Sequence, residues 1–190
     1  MLTVLRRIMQ EVSNAPSLNA LLDTIVLRVK QHLDVDVCSL YLFDEEQRRY
    51  VLMATEGLHK HGVAKVSLGA SEGIIALVGN REEPINLEDA QAHPSYHYLP
   101  GIGEESYMSM LAVPVINHRK LLGVLVVQNV SKRRFEESEE SFLVTISAQI
   151  AGSIAHAEAT AAVRHYALAL GNTNRLTQIG LGMQAEVAGA

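Results

Sequence analysis

The stretch that most constrains the fold is residues 106–156, where two apolar strands lead into one long amphipathic helix. Residues 106–117 and 120–128 are rich in Val, Leu and Ile, which favour strands, and the polar connection between them suits a tight hairpin. From Ser138, the expected N-cap, apolar residues recur every three or four positions, which predicts a helix over 138–156. Its apolar stripe must be buried, and the sheet is the surface available to it.

The N-terminal half predicts two further helices and three strands. Apolar stripes predict helices over residues 1–13 and 18–33, with Ser17 as the N-cap of the second. Patterns of apolar residues predict three strands, at residues 37–43, 49–55 and 63–68. A short helix is expected to open at Ser71 and to stop at Gly79.

Two segments lack a regular core pattern. Residues 83–103 predict a long irregular segment, and in a compact domain such a segment is usually functional or mobile. After residue 156 the last helix is expected to continue through an alanine-rich stretch to residue 170, with residues 171–174 ending it and a linker following. The fold class is therefore α/β, or α+β: a mostly antiparallel sheet of about five or six strands. The N-terminal helices and the long C-terminal helix should cover one face, and the short helix and the 83–103 segment the other.

Composition argues against several classes of function. The formal net charge of −5 argues against a nucleic-acid or anionic membrane partner. No apolar run reaches the roughly 20 residues of a membrane span, and the charged N-terminus does not resemble a signal peptide, so a cytoplasmic location is expected. The single cysteine, Cys38, excludes an intramolecular disulfide.

Neither a metal site nor a catalytic site is predicted. The eight histidines include two spaced pairs, His59 with His61 and His93 with His97, but both pairs fall in predicted loops without further ligands. The chain has no nucleophile elbow, phosphate-binding glycine loop or dinucleotide-binding turn. We therefore expect no catalytic residue and no metal in this chain.

Several motifs resemble those of GAF domains. The Ala-Val-Pro run at 112–114, the Gly-Val-Leu run at 123–125, and then Asn129, Phe135 and Glu136, are similar to the second half of such a domain. Glu72-Gly73-Ile74 and the PINLED run at 84–89 resemble the helix and lid that cover its ligand cavity. The resemblance implies a small-molecule-sensing or dimerising module rather than a catalyst, with a core strand order of 2-1-5-4-3.

A narrower resemblance covers roughly residues 1–160. PINLEDAQAHPSYHYL at 84–99 and EESEESFLVTISAQIA at 136–151 are similar to the N-terminal GAF domain of nitrogen-branch phosphoenolpyruvate–protein phosphotransferases. The expected organisation is a GAF domain at 1–160, with a helix extension and linker at 161–190 that lead toward an absent phosphotransferase domain. The active-site Thr-Ser-His context of that family does not occur here.

This family implies a regulatory role in nitrogen metabolism. The domain would bind glutamine or 2-oxoglutarate and modulate phosphotransfer by the missing catalytic domains. The whole enzyme would use Mg²⁺ and phosphorylate an HPr-like carrier protein, whereas this chain would need no cofactor of its own. A homodimer through the N-terminal and C-terminal helices is also expected.

A ligand site is predicted where polar groups from separate segments converge. The candidate ligand-binding residues are Ser39, Tyr41, Gly73, Ile74, Asp89, Tyr96, Tyr98, Tyr107 and Ser109. The start of the short helix, at Gly73, is suited to a carboxylate, and Asp89 is suited to an ammonium group. Alternatively, Asp89 caps a turn and the tyrosines pack at edges.

Two other functions remain open at this point. One is a dimerisation module with an empty cavity. The other is a cyclic-nucleotide sensor, although the sequence departs from the N-K-x-F-D-E signature of such domains: Lys132 is displaced and Glu136 replaces the aspartate.

Overall fold

The computed structural model describes the backbone of residues 2–188 and the side chains of residues 3–163. In chain order the elements are α1 (Leu2–Ser13), α2 (Leu18–Leu33), β1 (Val37–Asp44), β2 (Arg49–Glu56), β3 (Ser67–Gly69), α3 (Gly73–Arg81), β4 (Ile85–Leu87), β5 (Ser109–Asn117), β6 (Lys120–Asn129) and α4 (Glu137–Ala188). Two 3-10 helices lie at Lys60–Gly62 and Glu104–Ser106. The chain forms two compact units, one ending at Ala155 and one beginning at His156. The described backbone of the second unit is the C-terminal part of α4.

The six strands form one antiparallel sheet in the order β3-β2-β1-β6-β5-β4. The hairpin of β5 and β6 pairs from Ser109 with Asn129 to Asn117 with Lys120, as its polar connection predicts. When the three-residue edge strand β3 is set aside, the order is the 2-1-5-4-3 implied by the GAF resemblance. The predicted sheet is confirmed.

One face of the sheet carries α2 and the first part of α4. Helix α2 packs against β1 and β2, and in α4 the Ser147 hydroxyl donates to the Pro114 carbonyl of β5 at 2.6 Å. The rings of His32 in α2 and Phe142 in α4 lie 4.3 Å apart. Of the predicted apolar stripe of α4, Phe142, Ile146, Ile150 and Ile154 are buried and Ala157 is half-buried; Leu143 and Ala151 are buried beside them.

The opposite face carries α3 and the 83–103 segment. Apolar side chains from both pack in one cluster with every second residue of the central strands, such as Tyr41 of β1 and Met110 of β5. The layer arrangement expected from the sequence is therefore confirmed.

The strand predicted over 63–68 is wrong in its bounds, since β3 covers only Ser67–Gly69. The preceding residues make local turn bonds instead: the N–H of Val63 donates to the Lys60 carbonyl, and Ala64 has a positive φ of 60°. Strand β4 was not predicted from the sequence, because it is only three residues long and lies inside the 83–103 segment.

Helix α3 continues past Gly79 and ends at Arg81, where Glu82 adopts the left-handed conformation with φ of 54° and its N–H donates to Val78. Gly79 does not stop the helix. A Cβ at this position would overlap the Tyr50 hydroxyl. The close approach of the helix to β2 therefore requires glycine at position 79.

Ser138 is not the N-cap of α4, which begins at Glu137. The Glu139 carboxylate accepts a hydrogen bond from the Glu136 N–H at 2.7 Å, an arrangement that resembles half of a capping box. The same carboxylate binds both terminal nitrogens of Arg133, at 2.8 and 2.9 Å. Glu136 therefore takes the place that was predicted for Ser138.

The predicted end of the last helix at 171–174 is not observed, because the backbone of α4 is helical to Ala188. Single Gly and Asn residues lower helix stability by about 1 kcal/mol or less, which does not by itself end a helix among alanines and leucines. The predicted linker at 176–190 is thus helical as far as it is described.

Candidate functional site

A small cavity lies on the face of the sheet that carries α3. Its free volume is about 20 Å³, which is room for about one water molecule. Its lining comes from β1, β3, α3, the 83–103 segment, the second 3-10 helix and β5: Tyr41, Leu68, Gly73, Ile74, Ile75, Tyr96, His97, Leu99, Glu104 and Met110.

Tyr41 forms the sheet side of this cavity and is almost fully buried. The register between β1 and β2 shifts just before it: Leu40 pairs with Ala54 and Tyr41 pairs with Leu52, so the extra, bulged residue is Met53 of β2. Burial raises the pKa of the Tyr41 hydroxyl well above its usual value, and the nearby Glu104 carboxyl raises it further. Tyr41 is therefore a neutral hydroxyl at the base of the cavity.

The start of α3 forms a second side. Gly73 has a φ of 77°, which favours glycine, and a Cβ there would lie 3.3 Å from the His97 Cβ. Glu72 precedes the helix without capping it, because its carboxylate accepts a hydrogen bond from the Gly69 N–H at 2.8 Å. The first N–H groups of a helix have no partner within the helix and form its positive end.

Glu104 contributes the only carboxyl among the lining residues. The residue is 6% exposed, and its Oε1 accepts a hydrogen bond from the Gln128 side-chain amide at 3.0 Å, whereas its Oε2 has no partner. Burial raises the pKa of this carboxyl to about 7; the Gln128 hydrogen bond opposes the rise and Glu105 adds to it. A buried carboxylate oxygen without a partner is costly, which makes Glu104 the chemically most unusual residue of the cavity.

The 83–103 segment closes the cavity with Tyr96, His97 and Leu99. Hydrogen bonds described near these residues are local: the Tyr96 N–H donates to the His93 carbonyl, and the Ser95 N–H donates to His93 Nδ1. At the far end, the His59 N–H donates to the Ile102 carbonyl at 2.9 Å. The segment is held at its ends and packed by side chains in its middle.

Four predicted site residues line the cavity: Tyr41, Gly73, Ile74 and Tyr96. Five others are not among the lining residues: Ser39, Asp89, Tyr98, Tyr107 and Ser109. The hydroxyls of Ser39 and Thr55 are 2.8 Å apart and bond to each other, and the Tyr107 hydroxyl donates to the Gly57 carbonyl at 3.3 Å.

Tyr98 and Ser109 are two more of these five residues. Tyr98 is 46% exposed and is not among the cavity residues. Ser109 precedes Met110 in β5, and alternation directs it to the opposite face of the sheet, where its hydroxyl is buried without a partner. Contact of these residues with a ligand stays a prediction from the sequence.

Asp89 has partners of its own outside the cavity lining. One carboxylate oxygen accepts a hydrogen bond from the Ala92 N–H at 3.2 Å, and the other binds the Lys132 ammonium. These contacts lower the pKa of Asp89, with the Lys132 hydrogen bond as the largest cause. The geometry corresponds to the alternative in which Asp89 caps a turn, and its role as a ligand contact stays a prediction.

Six lining residues were not among the predicted site residues: Leu68, Ile75, His97, Leu99, Glu104 and Met110. No sequence signal separates Glu104 from its neighbour Glu105, although one is buried and the other is exposed. The difference arises from the Gly101-Ile102-Gly103 approach to the 3-10 helix, where both glycines have positive φ and Ile102 is fully buried.

Other residues of the GAF-like motifs form hydrogen bonds that connect separate elements of the fold. Asn129 Oδ1 accepts from the Asp36 N–H at 3.0 Å, which joins the end of β6 to the start of β1. Asn86 of β4 bonds both backbone groups of Phe135, at 3.0 and 3.1 Å, and donates to the Glu140 carboxylate at 3.0 Å. The lid motif and the Phe135 motif therefore contact each other directly.

Within the described residues, no helix has the length and apolarity that a membrane crossing requires. In that same part of the chain, no three His, Cys, Asp or Glu side chains are grouped so that they could hold a metal ion.

A profile of the GAF domain family matches residues 17–154. The chain belongs to the GAF domain family. This GAF domain is 48% identical over 166 residues to a protein of Salmonella typhimurium named "Phosphoenolpyruvate-dependent phosphotransferase system". The match covers 87% of the chain and 22% of that relative, so the chain spans about a fifth of the relative's length.

Two solved structures extend the comparison. The GAF domain is 48% identical to the GAF domain from a phosphoenolpyruvate–protein phosphotransferase of Coxiella burnetii, with a TM-score of 0.81 over 85% of this chain and 96% of that one. It is 49% identical to the corresponding Acinetobacter domain, with a TM-score of 0.76 over 84% and 96%. The resemblance to GAF domains of these phosphotransferases, predicted from the motifs, is confirmed.

Proposed function

We propose that this GAF domain senses a small nitrogen metabolite, glutamine or 2-oxoglutarate, and regulates a phosphoenolpyruvate–protein phosphotransferase. The observation that carries the proposal is the cavity beneath the 83–103 segment, where a free helix start and a partnerless carboxylate oxygen are buried together. The similarity to GAF domains of such phosphotransferases supports the enzyme context.

Binding would require the cavity to open. A free volume of about 20 Å³ holds a water molecule but no metabolite of this size. The side chains of Tyr96, His97 and Leu99 are the ones that must move outward. A ligand that binds the open arrangement better than the closed one shifts the population between them, and this differential affinity is what regulation requires.

The same movement would reach the start of α4. Asn86 joins β4 to the backbone of Phe135, and Asp89 joins the base of the 83–103 segment to Lys132. Both partners lie in the connection that leads into α4. We infer that a displaced lid alters this connection and that α4 carries the change onward along the chain.

The catalytic steps belong to domains outside this chain. By resemblance, the whole enzyme uses Mg²⁺, phosphorylates a nitrogen-branch HPr-like carrier protein and works in the cytoplasm. The chain itself would contribute ligand binding and no catalytic residue.

The test is calorimetric titration of the 190-residue chain with glutamine, 2-oxoglutarate, cyclic AMP and cyclic GMP. Saturable binding of glutamine or 2-oxoglutarate at physiological concentrations supports the proposal. Binding of a cyclic nucleotide alone would replace the proposed ligand class. If none of the four compounds binds, the proposed sensing of these metabolites by this chain is refuted.

A second candidate function is a dimerisation module that uses residues 1–13 and 138–170. One observation favours it: α4 continues beyond Ala155 as a compact unit of its own. Pairing of these helices with those of a second copy across a two-fold axis would form a helical bundle. Light scattering over a range of concentrations tests it, and a monomer at high micromolar concentration would refute it.

A further inference from the structure

The cavity presents two groups of opposite charge that both lack partners. On one side is the Glu104 carboxyl and on the other the start of α3. Resting on the proposed sensing function, we propose that Glu104 is the specificity-determining residue and that it selects zwitterionic α-amino acids. The ligand's ammonium group donates to Glu104 Oε2, and its carboxylate accepts hydrogen bonds from the first N–H groups of α3.

Glu104 is oriented for one additional donor. Gln128 already satisfies Oε1 at 3.0 Å, and it does so from β6, behind the 3-10 helix that carries Glu104. Oε2 is buried with no partner while its residue lines the cavity. A buried ammonium group is the strongest partner that such an oxygen can take, because a hydrogen bond between two charged groups is stronger than one between neutral groups.

The start of α3 complements this carboxyl. Glu72 directs its carboxylate to the Gly69 N–H, so no side chain caps the helix, and Gly73, Ile74 and Ile75 all line the cavity. At Gly73 the missing Cβ lets another group approach the backbone. Free N–H groups at a helix start bind carboxylates well.

The charges of the lining disfavour ligands with only negative groups. The ten lining residues include no lysine or arginine, and their titratable side chains are Tyr41, Tyr96, His97 and Glu104. A dicarboxylate without an N–H group, such as 2-oxoglutarate, would place an oxygen against Oε2 and leave the carboxylate without a donor. A neutral amide in place of the ammonium would still offer an N–H donor but would lose the attraction between two opposite charges.

The test measures affinity by calorimetry for three probes that share a carbon skeleton: glutamine, N-acetylglutamine and 2-oxoglutarate. It compares the wild-type chain with Glu104→Gln and with Glu105→Gln. The Glu105 variant is a matched control, because it carries the same substitution at the adjacent and exposed residue. Thermal-shift measurements with all twenty common amino acids accompany the titrations.

We expect glutamine to bind wild type at least tenfold more tightly than N-acetylglutamine or 2-oxoglutarate. Glu104→Gln should weaken glutamine binding by about ten- to a hundredfold, the range of a hydrogen bond between charged groups, and Glu105→Gln should leave it within about twofold. Even if Glu104→Gln does not fold, the comparison of the three probes on wild type tests whether the site requires an ammonium group on its ligand.

The outcomes separate this proposal from the broader one. If glutamine binds but Glu104→Gln retains its affinity, or if 2-oxoglutarate binds more tightly, amino-group recognition by Glu104 is refuted and the sensing role stands. If neither metabolite binds, the sensing role for these metabolites is refuted. If, in addition, no amino acid shifts the unfolding temperature, the zwitterion site is refuted as well, and Oε2 is only hydrated.

Discussion

Replacing Glu104 with glutamine should remove one pH-dependent contribution to stability and leave the size of the side chain unchanged. The carboxyl is buried, with one oxygen bonded to Gln128 and the other without a partner. Burial raises its pKa from 4.5 to about 7 in the folded protein. The folded state therefore holds the proton more tightly than the unfolded state does.

The sign and size of the effect follow from this difference. Below the unfolded pKa of 4.5 the carboxyl is protonated in both states and does not affect the free energy of unfolding. Above pH 7 it is ionised in both states, and its destabilisation of the folded state is complete. The free energy of unfolding therefore falls as the pH rises between these two values. Each unit of pKa corresponds to about 1.36 kcal/mol. Between pH 5 and pH 8 the free energy of unfolding should therefore fall by about 2 to 3 kcal/mol through Glu104 alone.

The assay is urea denaturation at half-unit steps from pH 5 to pH 8 on wild type, Glu104→Gln and Glu105→Gln. Tyr41, Tyr96 and His97 lie around the same cavity and are common to all three proteins, so the difference between curves isolates residue 104. We expect wild type and Glu105→Gln to lose stability with rising pH by about 2 to 3 kcal/mol more than Glu104→Gln does.

The slope is the diagnostic quantity because the glutamine amide adds two donors at a site where Oε2 has no partner, which changes absolute stability by a separate amount. If Glu104→Gln and wild type show the same slope, the carboxyl titrates normally. The description of Glu104 as a buried, partnerless acid would then be wrong.

Three further predictions concern the surroundings of the cavity. Asn86→Ala should lower the free energy of unfolding by about 2 kcal/mol in urea denaturation, since two backbone groups and a carboxylate lose a partly buried hydrogen-bond partner. An unchanged midpoint would contradict the proposed tie between the lid and the connection to α4. Gly73→Ala should lower the free energy of unfolding by about 1 kcal/mol, because residue 73 has a positive φ. The control Gly152→Ala, in an open part of helix α4, should raise the free energy of unfolding by up to about 1 kcal/mol. Asp89→Ala and Lys132→Ala should both leave glutamine affinity within about twofold in calorimetry, since the two side chains bind each other; a large loss in Asp89→Ala alone would make Asp89 a ligand contact, as the sequence suggests.

Most of the fold could be predicted from the sequence because its elements carry strong periodic patterns. The stripe from Phe142 to Ile154 and the apolar hairpin of β5 and β6 each specify which side is buried, and together they determine the layers. The errors lie where local hydrogen bonds decide the result. Glu136, whose N–H donates to the Glu139 carboxylate, takes the place of the expected cap Ser138, and the turn at Val63 shortens the third strand.

The site was less predictable because it depends on burial that only the tertiary fold creates. Tyr41 and Gly73 could be found, since one alternates in a strand and the other opens a helix. Asp89 looked like the residue for an ammonium group, but Lys132, 43 residues away, binds it. Glu104 carries no mark in the sequence that distinguishes it from Glu105.

The near absence of free space in the cavity has a consequence for the working range of such a domain. When only a fraction of molecules is open, the apparent Kd equals the intrinsic Kd divided by that fraction, so one open molecule in a hundred raises it about a hundredfold. In the proposed sensor, Tyr96 and Leu99, which line this space, would thereby set the metabolite concentration at which a response begins. Substitutions at Leu99 would move that set point up or down without altering Glu104 or the start of α3, the groups proposed to bind the metabolite.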